Sequence, residues 1–203
     1  MSDTDTETDN SDEEYLQQIE KARAPTRRRS SRTRSLAQVL NHNPVARNGD
    51  CLYISVLQAT KMKALEPGKT IKTPTELRQV LLNNMDEVIN KNANLKQAIV
   101  GDIKKEVKQR LTLGVTKKKR GEVPNDAWGG DIEIQIIASM YGLNIVTVDF
   151  NNNCIRNAGT ITDAKNEIIL AYINDEHYDW ATIKPSATVE QVNASVTKYF
   201  LKF

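Results

Sequence analysis

The sequence predicts an α+β fold. Two periodicities carry that prediction, and they occupy different parts of the chain. Between Pro74 and Leu113 apolar residues recur every three or four positions, as in helices laid against a core. From Glu167 to Ile183 two β-branched, apolar runs flank the polar triplet Asn174-Asp175-Glu176, the pattern of a β-hairpin. A third stretch, Asn48-Gly49-Asp50-Cys51-Leu52-Tyr53-Ile54-Ser55-Val56, passes from a turn-forming loop into an apolar, helical run.

The 203 residues are enough for one domain with attached tails. A net charge of +2 hides an asymmetry, since residues 1 to 20 carry acids and no Lys or Arg, whereas 21 to 35 carry bases and no acid. Neither block can bury enough apolar surface to offset chain entropy, so residues 1–38 are read as a disordered arm. Arg27-Arg28-Arg29-Ser30-Ser31-Arg32-Thr33-Arg34 is either a contact for nucleic acid, an acidic partner or nuclear import, or a solubilising tail. Residues 39–185 are read as the folded domain and 186–203 as a C-terminal amphipathic helix. The start of the chain lacks an apolar signal core, and no run of 18 apolar residues occurs. The expectation is a cytoplasmic protein with no membrane partner, or a nuclear or virion-associated one.

Within the domain, Cys51 stands at the start of a helical run. Unpaired N–H groups and the positive end of the helix dipole favour thiolate there, and the thiolate is the strong nucleophile. Gly49 allows the tight turn and leaves room beside the sulfur. A cysteine alone at such a place is equally the mark of an apolar core. Thr73-Pro74-Thr75-Glu76 reads as a capping-box helix start, with Leu77, Leu81, Met85, Val88 and Ile89 on one face. A second helix uses Leu95, Ile99, Ile103, Val107 and Leu111, with Gly101 as its weak point. Lys117-Lys118-Lys119-Arg120 is read as a solvated loop.

Trp128-Gly129-Gly130-Asp131 leads into an apolar run from Ile132 to Tyr141 and then Asn144-Ile145-Val146-Thr147-Val148-Asp149. Glycines let another backbone approach closely, and a tryptophan beside them can wall a narrow channel; equally, the indole can anchor a core and the glycines make a turn. Two cysteines, Cys51 and Cys154, suit a reducing compartment, and Cys154 is read as structural. With two histidines at no metal-binding spacing, neither metal nor cofactor is expected. In the hairpin, strand alternation puts His177 and Asp179 on one face and Tyr178 and Trp180 on the other. A carboxylate so placed can fix the imidazole tautomer and free the second nitrogen to act on a thiol. His42, in Asn41-His42-Asn43-Pro44, is read as a solvated loop residue. Thr188-Val189-Glu190-Gln191 opens the last helix, whose apolar face includes Val189, Val192, Val196, Tyr199 or Phe200, and Phe203.

The nucleophile block, the Trp-Gly block and the His-Tyr-Asp block, in this order, resemble the ovarian-tumour (OTU) family of papain-like cysteine proteases over roughly residues 45 to 184. The resemblance implies a papain-like fold with a small central, mostly antiparallel sheet flanked by helices. It implies hydrolysis of the (iso)peptide bond after the terminal glycine of ubiquitin or a ubiquitin-like protein. Cys51 is then the nucleophile, His177 the base that holds its thiolate, and Asp179 or Asn48 the orienting group. Backbone N–H groups of Gly49, Asp50 and Cys51 hold the oxyanion, while Trp128, Gly129, Gly130 and Tyr178 line the substrate channel. The family's Asp-Gly-Asn before the cysteine is here Asn48-Gly49-Asp50, which shifts the orienting role toward Asp179 and sets a carboxylate beside the sulfur. A non-catalytic structural or packaging protein of a virus or phage particle, or an OTU-fold protease acting on other proteins, are the competing readings.

Overall fold

The computed structural model describes residues 35–61, 71–116, 122–157, 161–162 and 164–198. Residues 1–34 of the arm, with the Arg27–Arg34 contact, the 117–120 loop and residues 199–203 lie outside the described residues. The end of the arm is not disordered, since Leu36 and Val39 are buried in a short helix, and the last helix stops at Ser195.

The helices are α1 (Leu36–Val39), α2 (Cys51–Lys61), α3 (Pro74–Lys91), α4 (Ala93–Ala98), α5 (Gly101–Thr116), α6 (Asp131–Tyr141) and α7 (Val189–Ser195). The strands are β1 (Leu40–Asn43), β2 (Asn144–Asp149), β3 (Cys154–Ile155), β4 (Glu167–Ile173), β5 (His177–Ile183) and β6 (Thr197–Lys198). They form one sheet in the order β1-β5-β4-β2-β3-β6. The pairs β1/β5, β5/β4 and β2/β3 are antiparallel, whereas β4/β2 and β3/β6 are parallel. The sheet is therefore mixed with an antiparallel majority, in an α+β arrangement.

Both faces of the sheet are covered, and the strand alternation shows how. Ile145, Ile168, Leu170 and Tyr178 face one core with α2, α3 and α6, while Val146, Val148, Ile169, Ala171 and Ala181 face the other with α1 and α7. Each fully buried Leu or Ile there contributes about 1.5–3 kcal/mol. The α3 stripe is buried at Leu77, Leu81, Met85 and Ile89, with Arg78 buried beside them. The capping box at Thr73 is present, its hydroxyl accepting from the Glu76 N–H at 3.2 Å.

One helix expected over Leu95 to Leu111 is instead two. Gly101 adopts a left-handed φ of 53°, and the chain breaks between α4 and α5, so that Ile103 is 38% exposed and does not continue the buried stripe. The hairpin falls where the sequence puts it, with Asn174 and Asp175 at positive φ in its turn. Val192 on α7 is fully buried against the second core, and β6 extends the sheet beyond it.

Candidate active site

The site forms where β5 loses its neighbour. β1 pairs with β5 from Leu40↔Ile183 to Asn43↔Trp180. The next residue, Pro44, has no N–H to donate, so the ladder stops opposite Asp179. Beyond that point the outward C=O of Tyr178 accepts from Ser55 Oγ at 3.0 Å, and its N–H lies near enough to the Cys51 thiol to favour its thiolate. Cys51 and Ser55, one turn apart on α2, thus take over the edge that β1 vacates.

Gly49, at φ 80°, reverses the chain, and the Asp50 carbonyl accepts from the Ile54 N–H at 2.9 Å, so α2 begins with Cys51. Cys51 is 6% exposed. Burial pushes its thiol up, and Asp179 adds to that, against the downward pull of backbone N–H groups at Tyr178, Leu52 and Cys51 itself. The expectation that the helix start favours thiolate is therefore corrected in the resting protein: the amide contacts are present, but desolvation outweighs them.

His177 Nε2 donates to Asp179 Oδ1 at 2.7 Å. A carboxylate only accepts, so the proton sits on Nε2 and Nδ1 is left for other work. The Val45 N–H donates to the same oxygen at 2.8 Å, and His42 Nε2 donates to Oδ2 at 2.5 Å. Asp179 is 2% exposed, so three donors hold it away from solvent. His42 is accordingly a strand residue bonded into the site, which corrects its reading as a solvated loop residue. No local sequence signal places it there; the β1/β5 register sets His42 opposite Ala181 and so diagonally beside Asp179.

The two residues exchanged relative to the family pattern do different work. The Asn48 carboxamide accepts from the Asp50 N–H at 3.2 Å, so it braces its own loop. The structure joins His177 to Asp179, which also takes His42, while the Asn48 side chain turns to its own loop. Asp50 is buried. Its Oδ1 accepts from Arg78 Nε at 2.9 Å, with Arg78 fully buried. The same guanidinium donates to Gly49 O at 3.0 Å and Ala127 O at 2.8 Å and lies 3.9 Å over the Tyr53 ring. Arg78 was missed at the sequence level, although it falls in the α3 stripe at three- and seven-residue spacing from Leu81 and Met85.

The Trp128 block closes over this loop. Trp128 Nε1 donates to Val123 O at 3.3 Å, and a methyl on Gly49 would come within 2.5 Å of that nitrogen. A methyl on Gly129 would meet Leu52 at 2.7 Å and Tyr53 at 2.9 Å. These glycines are occupied by the protein's own packing. At Gly130 the nearest atom to such a methyl is Glu133 Oε2 at 3.9 Å, and the Gly130 N–H donates to that carboxylate. Tyr178 turns inward and donates to Asp131 Oδ1 at 3.2 Å. Among the described residues no group of three or more His, Cys, Asp or Glu could hold a metal, and no helix is long and apolar enough to cross a membrane.

A sequence model of the OTU-like cysteine protease family matches residues 46–179. No curated protein matches the chain in sequence. Among solved structures the chain is similar to an ovarian tumour (OTU) domain in complex with ubiquitin, at 21% identity over 77% of this chain and 83% of that one, TM-score 0.47. It is similar to an OTU deubiquitinase from Wolbachia pipientis wMel at 16% identity, over 75% of this chain and 94% of that one, TM-score 0.49. A viral OTU domain protease from Taggert virus matches at 12% identity, over 77% and 87%, TM-score 0.48.

Proposed function

This chain belongs to the OTU-like cysteine protease family, and from that premise we propose that it is a deubiquitinase, cleaving the (iso)peptide bond after the terminal glycine of ubiquitin or a ubiquitin-like protein. The observation that carries the reading is the hold of Asp179 on His177 through Nε2, on the strand whose Asp179 charge and Tyr178 N–H both act on the Cys51 thiol at the start of α2. In the proposed reaction Cys51 Sγ attacks the glycine carbonyl carbon while His177 Nδ1 takes the thiol proton. The tetrahedral oxyanion is held by the N–H groups of Cys51 and Gly49, the Asp50 N–H being taken by Asn48, each donor worth on the order of 3 kcal/mol in comparable enzymes. The C–N bond then breaks as His177 protonates the leaving amine, and water, deprotonated by His177, hydrolyses the thioester. Asp179 orients and stabilises the imidazolium at both proton transfers.

Because burial raises the thiol, His177 acts as a general base during attack. Iodoacetamide alkylation of Cys51 in the free protein, followed by mass spectrometry to separate it from Cys154, is then expected to climb through a pH above the ordinary thiol value of about 8.5. A rate already on its plateau at pH 7 would mean a resting ion pair and would remove the general-base step.

Gly130 and the half-buried Trp128 support a narrow slot for a glycine tail, since among the described residues a methyl on Gly130 would meet nothing closer than Glu133 Oε2 at 3.9 Å. The deciding experiment is incubation with a ubiquitin whose C-terminus carries a propargyl amine. Covalent labelling that is lost in Cys51→Ala is expected. Reaction of Cys51 with a small alkylating agent but not with the ubiquitin probe would reject ubiquitin as the substrate and leave a protease of other proteins.

A further inference from the structure

Resting on the reading of Cys51, His177 and Asp179 as the reacting set, we infer that His42 is a positioning residue for the reaction, fixing the plane of the Asp179 carboxylate that orients His177. The geometry assigns this role through the division of donors. Oδ1 of Asp179 takes both His177 Nε2 and the Val45 N–H, whereas Oδ2 takes His42 Nε2. A carboxyl group turns easily about its last side-chain torsion, which has no sharp staggered minima. With His42 absent, Oδ2 would be left buried without its donor, and the carboxylate would turn to spread its oxygens over the two donors that remain. That turn draws the His177 ring with it. His42 is itself held, because its ring lies against Phe150 with centroids 5.4 Å apart. Its side chain is 36% exposed, so it reaches the buried acid from the rim of the site.

The test compares His42→Phe, which keeps a ring beside Phe150 but cannot donate, with His42→Gln, whose Nε2 carries a donor at similar reach. On a fluorogenic ubiquitin C-terminal amide, His42→Phe is expected to lose about 10- to 100-fold in kcat, the scale of one hydrogen bond to a charged group. KM should stay within about threefold, and His42→Gln should recover most of the loss. In imidazole proton–nitrogen NMR spectra of the full chain, the His177 Nε2–H signal should persist in His42→Gln and broaden or vanish in His42→Phe. Equal kcat in the two variants, with an unchanged His177 signal, would overturn the inference. Should the parent protein fail to turn over the ubiquitin substrate, the substrate reading falls alone. The His42 role is then judged by Cys51 alkylation, which must be slowed by His42→Phe and by His177→Ala and preserved by His42→Gln; equal rates in the two His42 variants reject it.

Discussion

Asp179→Ala is expected to lower kcat on a ubiquitin substrate by about 10⁴-fold, the scale seen when the orienting acid of a nucleophile–histidine pair fails to hold the tautomer. The substitution removes more than one charge. It leaves His177 Nε2, His42 Nε2 and the Val45 N–H facing a void where both carboxylate oxygens had been. The His177 ring then loses the bond that fixes its orientation and tautomer. Asp179→Asn separates geometry from charge. Its amide oxygen can face His177 and Val45 while its NH2 faces His42, whose partly exposed ring can change tautomer to accept. That variant should keep the orientation and lose only the stabilisation of the imidazolium, about 10- to 100-fold. Measuring kcat for both decides the matter. An Asp179→Ala enzyme within tenfold of the parent would end the orienting role, and an Asp179→Asn enzyme as poor as Asp179→Ala would show that charge alone matters.

What the sequence made legible follows from the range of the interactions concerned. The hairpin, the start of α2 and the α6–β2 succession are encoded by periodicity and turn residues within a few positions, and the structure has them at those residues. The pairing of His177 with Asp179 was equally local, since two residues apart on one strand means one face. The break between α4 and α5 was not, because an exposed Ile103 on an otherwise apolar stripe looks the same as a buried one until the packing is known. His42 escaped for a related reason. A polar alternation before a proline reads as loop when considered alone, and only the β1/β5 register puts it diagonally across from Asp179. Arg78 escaped because a cation inside an apolar stripe needs a buried acid to make sense of it, and that acid lies 28 residues earlier, next to the cysteine. The balance at the Cys51 sulfur depends on the same long-range information: local pattern announces the helix N-terminus, while the depth of burial that outweighs it is a property of the assembled core.

Asp50→Ala is expected to destabilise the fold by about 3–5 kcal/mol, because it strips the partner from a fully buried guanidinium. That is a large share of the roughly 5–15 kcal/mol that holds a domain folded, and it should appear as a lowered midpoint in urea at unchanged slope. Arg78 cannot retreat to solvent. It is enclosed by Tyr53 on one side and by Gly114 on another, where a methyl would lie 2.4 Å from its Nη1. Replacing both partners, as Asp50→Leu with Arg78→Met, removes the buried charges together and should recover part of the loss, since apolar substitutes for a buried pair are often neutral or better. The recovery cannot be complete, because Gly49 O and Ala127 O also lose their donor. Those two carbonyls belong to the cysteine loop and to the segment leading into Trp128, so the double variant should fold yet react poorly with the ubiquitin probe. A loss below about 1 kcal/mol for Asp50→Ala would show that the ion pair is not what holds these loops. Full probe reactivity in the double variant would show that Arg78 braces the fold without setting the position of Cys51.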